Sequence, residues 1–258
     1  MDTIPDELTK PLTELLFSIA DDKLMLGHRA SDWTGLAPIL EEDIAFSAIS
    51  QEEIAHASAL YVFLAPLLNQ NPDALAFARS ADQFRCAELT ELTDDFDWAR
   101  AIVRQFFCDH LDVLRLERLA RSSHKPLAAL SERLRAEETV HVDHADTWMV
   151  HLGGSSDGKT RMQAALDALG PRATMLLEPS QGVERLEKAG LYPGNSADLF
   201  ARWSTDVGSV IQRAGLHCRL DPPPADAVGG RRGQRSDDFA ALLDEMSEVY
   251  RIEPLAAW

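Results

Sequence analysis

Helical spacing runs through almost the whole chain and leaves little room for another fold class. Between about Glu7 and Arg29, Leu8, Leu12, Leu15, Leu16, Ile19, Leu24 and Leu26 recur mostly three or four residues apart. Side chains at that period share one face of an α-helix. Alternating Val/Ile/Thr runs bounded by turns, the mark of strands, are absent. Ser31–Gly35 breaks the first segment, and a second runs from about Ile39 to Leu68, where Asn69–Pro72 stops it. Asp73–Asp95 reads as irregular. A third helix spans about Asp95–Arg121, with Asp94 or Asp95 placed to cap it. After the tight connection Ser122–Pro126, a fourth runs to Leu152 and ends at Gly153-Gly154, Pro126 suiting a first helical position. Shorter helices follow over about Asp157–Leu177, Ser196–Leu216 and Asp237–Tyr250, the last capped by Ser236. The Pro- and Gly-rich stretch Asp221–Gly233 cannot be regular helix. The chain of 258 residues thus reads as a single all-α domain. Its expected architecture is a four-helix bundle over about residues 6–152 with a C-terminal helical extension over about 156–258.

Charge and cysteine usage narrow the function. With 42 Asp and Glu against 25 Lys and Arg, the net charge of −17 repels polyphosphate, so no nucleic-acid partner is expected. No apolar run approaches the roughly 18–20 residues of a membrane span, and Met1–Lys10 is too acidic and polar for a signal peptide. Cys86, Cys108 and Cys218 lie far apart and form no C-x-x-C, which argues against a disulfide framework and for a cytoplasmic chain. Neither a phosphate-binding glycine loop nor a nucleophile elbow is present.

The chemistry-bearing feature is an internal echo. Glu52-Glu53-Ile54-Ala55-His56 on the second helix resembles Glu137-Glu138-Thr139-Val140-His141 on the fourth. Each holds Glu-x-x-His, which sets a carboxylate and an imidazole on one helix face, a turn apart. From the Glu and His content, about 0.6 such motifs would arise by chance; one copy would mean nothing, but two at matching places in successive helix pairs are harder to dismiss. Asp22 stands 31 residues ahead of Glu53 and Asp109 stands 29 ahead of Glu138, the depth at which a returning hairpin brings an upstream carboxylate opposite the motif. Asp22, Glu53, His56, Asp109, Glu138 and His141 are therefore the candidate ligands of a ferritin-like di-metal site. Four clustered carboxylates repel one another unless divalent cations or protons neutralise them, and this donor set suits two iron ions, with manganese the lesser alternative. Glu52, Glu137 and His144 are candidates for the surrounding shell.

A blander interpretation stands beside this one. Acidic residues are abundant, so Asp21 rather than Asp22, or Asp112 rather than Asp109, could simply face solvent; His56 and His141 could be ordinary polar residues on half-buried faces, and the set could be an empty remnant or a coincidence. The basic run Gly229–Arg235 sits oddly in an acidic chain; Arg231, Arg232 and Arg235 are candidates for gripping an anion or a partner, or for a solvated loop.

Several stretches resemble the ferritin-like subunits of phenylacetyl-CoA epoxidase. They are Asp22–Gly35 around Trp33, Pro38 with Leu40–Ala45, Arg104-Gln105-Phe106-Phe107, and an ending of Gly230-Arg231-Arg232-Gly233, Leu242–Met246 and Pro254–Trp258. The ending is similar to the C-type branch. This resemblance implies a bacterial cytoplasmic complex in which an A-type subunit, a di-iron oxygenase, epoxidises the ring of phenylacetyl-CoA with O2 and reductase-supplied electrons. It implies that a C-type chain pairs with that subunit in a hetero-oligomer and is structural, its metal ligands eroded. The present sequence departs from that pattern, since it keeps ligand-type residues at all six positions. The alternatives are a metal-free scaffold and a stand-alone di-iron oxidase.

Overall fold

A computed structural model describes residues 4–224 and 226–254, so Leu255-Ala256-Ala257-Trp258 of the closing segment lies outside the described residues. In chain order the helices are α1 (Asp6–Ser31), α2 (Leu40–Leu68), α3 (Pro72–Phe77), α4 (Glu88–Glu91), α5 (Trp98–Ala120), α6 (Lys125–Gly153), α7 (Ser156–Ala173), α8 (Val183–Lys188), α9 (Ser196–Arg213), α10 (Phe239–Met246) and α11 (Glu248–Ile252). Single 3₁₀ turns occur at Ala81–Gln83, Thr174–Leu177 and Gly230–Arg232, and no strand occurs among the described residues. The fold is all-α, and its two long hairpins, α1–α2 and α5–α6, are the elements of a ferritin-like bundle.

Contacts divide the chain into two compact units. One contains Met1–Pro11 and Asp94–Ala227; the other contains Leu12–Thr93 and Val228–Trp258. The C-terminal tail therefore belongs with the first hairpin.

In the first of these units α5 and α6 are joined by four residues, too few for anything but an antiparallel return. The cap of α5 is Asp97, whose side chain accepts from the Ala99 N–H; Asp94 instead binds Arg104 at 3.0 Å, so neither of the expected caps serves. His124 caps α6 through Nδ1, which accepts from the Leu127 N–H, and Pro126 lies in the first turn where its missing donor is harmless. Trp203 of α9 is fully buried and donates its indole N–H to the Phe107 carbonyl at 3.1 Å, fixing α9 on α5.

In the other unit α1 and α2 run antiparallel, as the pairings Gly27 with Ser50, Lys23 with Glu53 and Phe17 with Tyr61 require. Asn69 ends α2 in the left-handed region at φ +52°, a conformation its short polar side chain tolerates. The stretch read as irregular holds α3, a 3₁₀ turn and α4. The expected final helix breaks at Ser247 into α10 and α11 and starts at Phe239, not after Ser236. Phe239 and Leu242 of α10 close a buried cluster with Met25, Phe84 and Cys86, the two phenyl rings 5.4 Å apart.

The closeness of α1 and α2 rests on Gly27. A Cβ there would lie 2.9 Å from both Glu53 Cβ and Ile54 Cγ1 and 3.0 Å from the Ser50 carbonyl oxygen, while Ser50 Oγ donates to the Gly27 carbonyl at 2.7 Å. Gly27→Ala is expected to lose about 1–3 kcal/mol of stability by overpacking, despite the better helix propensity of alanine. Denaturant unfolding would measure it, and an unchanged midpoint would show that α2 can move aside freely.

Candidate metal centre

Helix α5 carries Asp109 and α6 carries Glu138 and His141, and all three side chains are completely buried. Spacing of three residues puts Glu138 and His141 on one face of α6, with Glu138 Oε2 3.8 Å from His141 Nδ1. Each residue of the trio offers one ligand atom, and these atoms lie within 4.8 Å of one another. Gln105, one turn before Asp109, donates its amide to Asp109 Oδ1 at 2.5 Å and orients that carboxylate. Two carboxylates and an imidazole form a donor set for a first-row divalent cation. Metal bonds of about 2.0–2.2 Å would need the side chains to close in slightly. This buried Glu/Asp/His group could therefore bind a metal ion.

The other three candidates lie on α1 and α2. Glu53 and His56 share the buried face of α2, at 0 and 1% exposure. Lys23 Nζ donates to Glu53 Oε2 at 2.9 Å, with both side chains excluded from water. Asp22 is gripped by Arg231: Nη1 reaches Oδ1 at 2.7 Å and Nη2 reaches Oδ2 at 2.6 Å, a two-pronged charge-assisted pair. The Ala87 N–H adds a third bond to Asp22 at 2.8 Å. Here the cations come from the chain itself. Both acidic members of this half of the ligand set have a positive partner on the chain.

Successive residues on a helix point about 100° apart, so burial of Asp21, Asp22 and Lys23 together means α1 is covered on most of its circumference. Asp21 does not face solvent. It accepts from Tyr61 Oη at 2.6 Å and from the Arg85 N–H at 2.6 Å, and it pairs with Arg79. The Arg79 guanidinium lies 4.3 Å from the Phe17 ring centre and 4.1 Å from that of Phe84. Asp112 is likewise buried, paired with Arg115.

The basic run owes its shape to the same unit. A Cβ on Gly230 would overlap the Cys86 carbonyl oxygen, so only glycine lets the turn lie against that backbone. Arg231 is 2% exposed and also donates to the carbonyls of Ser18 and Arg85, both at 2.8 Å. Arg235 binds Glu91 Oε1 at 2.5 Å, and the Ser236 N–H donates to Glu91 Oε2 at 2.7 Å. Burial raises the Glu91 carboxyl above its ordinary range against the opposing pull of Arg235, and burial also pushes the Cys86 thiol well up. Arg231 and Arg235 are thus occupied internally, while Arg232 stays at the surface. Of the shell candidates, Glu137 is exposed and Glu52 and His144 are half-buried.

Lys23 is not among the functional positions that motif spacing predicts. A signal is present all the same: it is the single basic residue between Leu12 and Gly27, in the same antiparallel register that sets Gly27 against Ser50. All three cysteines are free.

The fold and this site define an all-helical protein of the carboxylate-bundle type with a buried Asp–Glu–His group. The chain belongs to the phenylacetic acid catabolic protein family, PaaA_PaaC, whose model matches residues 1–258. It is 28% identical over 249 residues to the C subunit of 1,2-phenylacetyl-CoA epoxidase from Escherichia coli (strain K12), covering 96% of this chain and 99% of that protein. No helix among the described residues is long and apolar enough to cross a membrane.

Proposed function

We propose that this chain is the C-type subunit of a phenylacetyl-CoA epoxidase, a cytoplasmic scaffold that pairs with a catalytic helical subunit in phenylacetate catabolism and does not itself turn over substrate. The observation that carries the scaffold reading is the pair of buried ion pairs, Lys23–Glu53 and Arg231–Asp22. A carboxylate bundle built for two metals leaves its acids to be neutralised by the ions. In this chain a lysine and an arginine perform that service at two of the four candidate acids, and the Escherichia coli relative is the C-type component of its epoxidase. The Asp109, Glu138 and His141 group favours a second reading, one divalent ion held by that trio. A bound iron would supply oxygen-binding redox chemistry, and a redox-inert ion would supply structure alone. Under either reading Gln105 fixes Asp109, and the complete burial of the trio excludes bulk water.

Elemental analysis of chain purified from iron-replete cells tests the choice. The scaffold reading expects well below one ion per chain, with folding indifferent to chelator. About one ion, lost in Glu138→Ala, would favour the single-ion alternative; about two, lost in the same variant, would overturn both and restore a di-iron centre.

A further inference from the structure

Helices α7 and α9 do not close fully on each other. Between them and the segment Gly215–Arg219 lies an open cavity of about 790 Å³, wholly within the unit that holds α5 to α9. Three contacts set the register of that segment along α7. Lys159 Nζ lies 3.3 Å from where a Cβ on Gly215 would stand. Gln163 accepts from the His217 N–H at 3.0 Å and donates back to the His217 carbonyl at 2.8 Å. A Cβ on Gly170 would come within 2.5 Å of Cys218 Sγ. The segment therefore runs alongside α7 from its first turns toward its end.

The two ends of the cavity differ in chemistry. Toward the end of α7 its wall is Leu166, Pro171, Ile211, Leu216 and Cys218. Burial, with Asp167 beside it, pushes the Cys218 thiol up to about 11, so the sulfur stays neutral and serves as apolar wall. Toward the start of α7 an adjoining hollow shares Gln163, Asp167 and His217 and adds Ser156, Lys159 and Thr160. The Lys159 ammonium has no carboxylate partner among the described residues, whereas Arg219 on the rim is paired with Asp221 at 2.7 Å. Gly208 points to a ligand independently. It lies inside α9, where glycine is less favourable than alanine, yet a Cβ there would meet nothing within 4 Å. Packing does not demand glycine at this place; the missing side chain widens the cavity that Gly208 lines.

We infer that this cavity binds a small apolar carboxylic acid, its hydrocarbon body against Gly208 and Leu166 and its carboxylate at Lys159 and His217. Asp167 sets that direction: it accepts from the Gln163 amide at 2.8 Å and repels a carboxylate placed at the apolar end. Lys159 and Leu166 are seven residues apart, about 10 Å along a helix, a span that suits octanoate or 4-phenylbutyrate. The site shares no residue with the candidate metal ligands and is independent of the C-type reading.

Calorimetric titration of the full chain with octanoate, 4-phenylbutyrate and the uncharged octanamide tests the site. Both acids should bind at about one equivalent per chain, and octanamide about tenfold more weakly than octanoate. Gly208→Leu fills the cavity and should weaken both acids by at least about tenfold without lowering Tm. Lys159→Met should weaken the acids about tenfold and leave octanamide within about twofold. Circular dichroism verifies folding, and the exposed Lys159 keeps the test decisive should Gly208→Leu fail to fold. Tighter binding of 4-phenylbutyrate would make the occupant an aryl acid, and tighter binding of octanoate an alkyl acid. No saturable binding of either acid, or binding that both variants leave unchanged, would overturn the site. Equal affinity for octanoate and octanamide would overturn the assignment of a carboxylate.

Discussion

Replacing Arg231 by methionine is expected to remove about 3–5 kcal/mol of folding stability, a loss on the order of 10 °C in Tm for a chain of this size. Methionine fills much of the same space, so the loss comes from the charge. Asp22 would stay buried with its two-pronged partner gone, and the carbonyls of Ser18 and Arg85 would lose a donor. Adding Asp22→Asn should recover a large part of the loss, because the orphaned charge is then removed along with its partner. Urea unfolding of the single and double variants measures both effects. A single variant within about 1 kcal/mol of wild type would show that Asp22 is neutralised some other way.

Lys23→Met should have an effect of similar size, about 3–5 kcal/mol, for the same reason at Glu53. It has a second readout that a purely structural lysine would not move. Without the ammonium group, the Glu53 carboxylate becomes available to a divalent cation, so iron or manganese content after metal-replete purification should rise above that of wild type. Glu53→Gln in the same background should restore stability and abolish the added metal. A Lys23→Met chain as stable as wild type and equally poor in metal would remove the basis for reading Lys23 as a stand-in for a cation.

The candidate ligands differ in how far the sequence reveals their roles. Glu138 and His141 come together because they are three residues apart on one helix, and Asp109 joins them because a four-residue connection fixes how α5 returns as α6. Those are short-range facts, and spacing predicts them. Asp22 and Glu53 sit at equivalent places in the other hairpin, but their charges are met by Arg231, 209 residues away, and by Lys23, 30 residues away. Nothing local distinguishes a carboxylate awaiting metal from one already paired with a cation. The Gly229–Arg235 run carries the same lesson. By composition it looks like a solvated basic loop, yet Gly230 presses on Cys86 and Arg231 is drawn into the interior. The terminal helix shows the limit of periodicity more simply: one amphipathic pattern spans Asp237–Tyr250, but the backbone breaks at Ser247.

Sequence alone determined the long helices, their order, the antiparallel sense of the two hairpins and the identity of one carboxylate–imidazole group. Each of these follows from side chains a few residues apart or from connections too short to allow another path. Tertiary structure decided which acids are met by a cation of the chain itself and where the C-terminal tail lies. Those outcomes depend on what packing buries. Burying a carboxylate demands a counter-charge within a few ångströms, and only the packing of distant segments determines whether a metal ion, a lysine or an arginine supplies it.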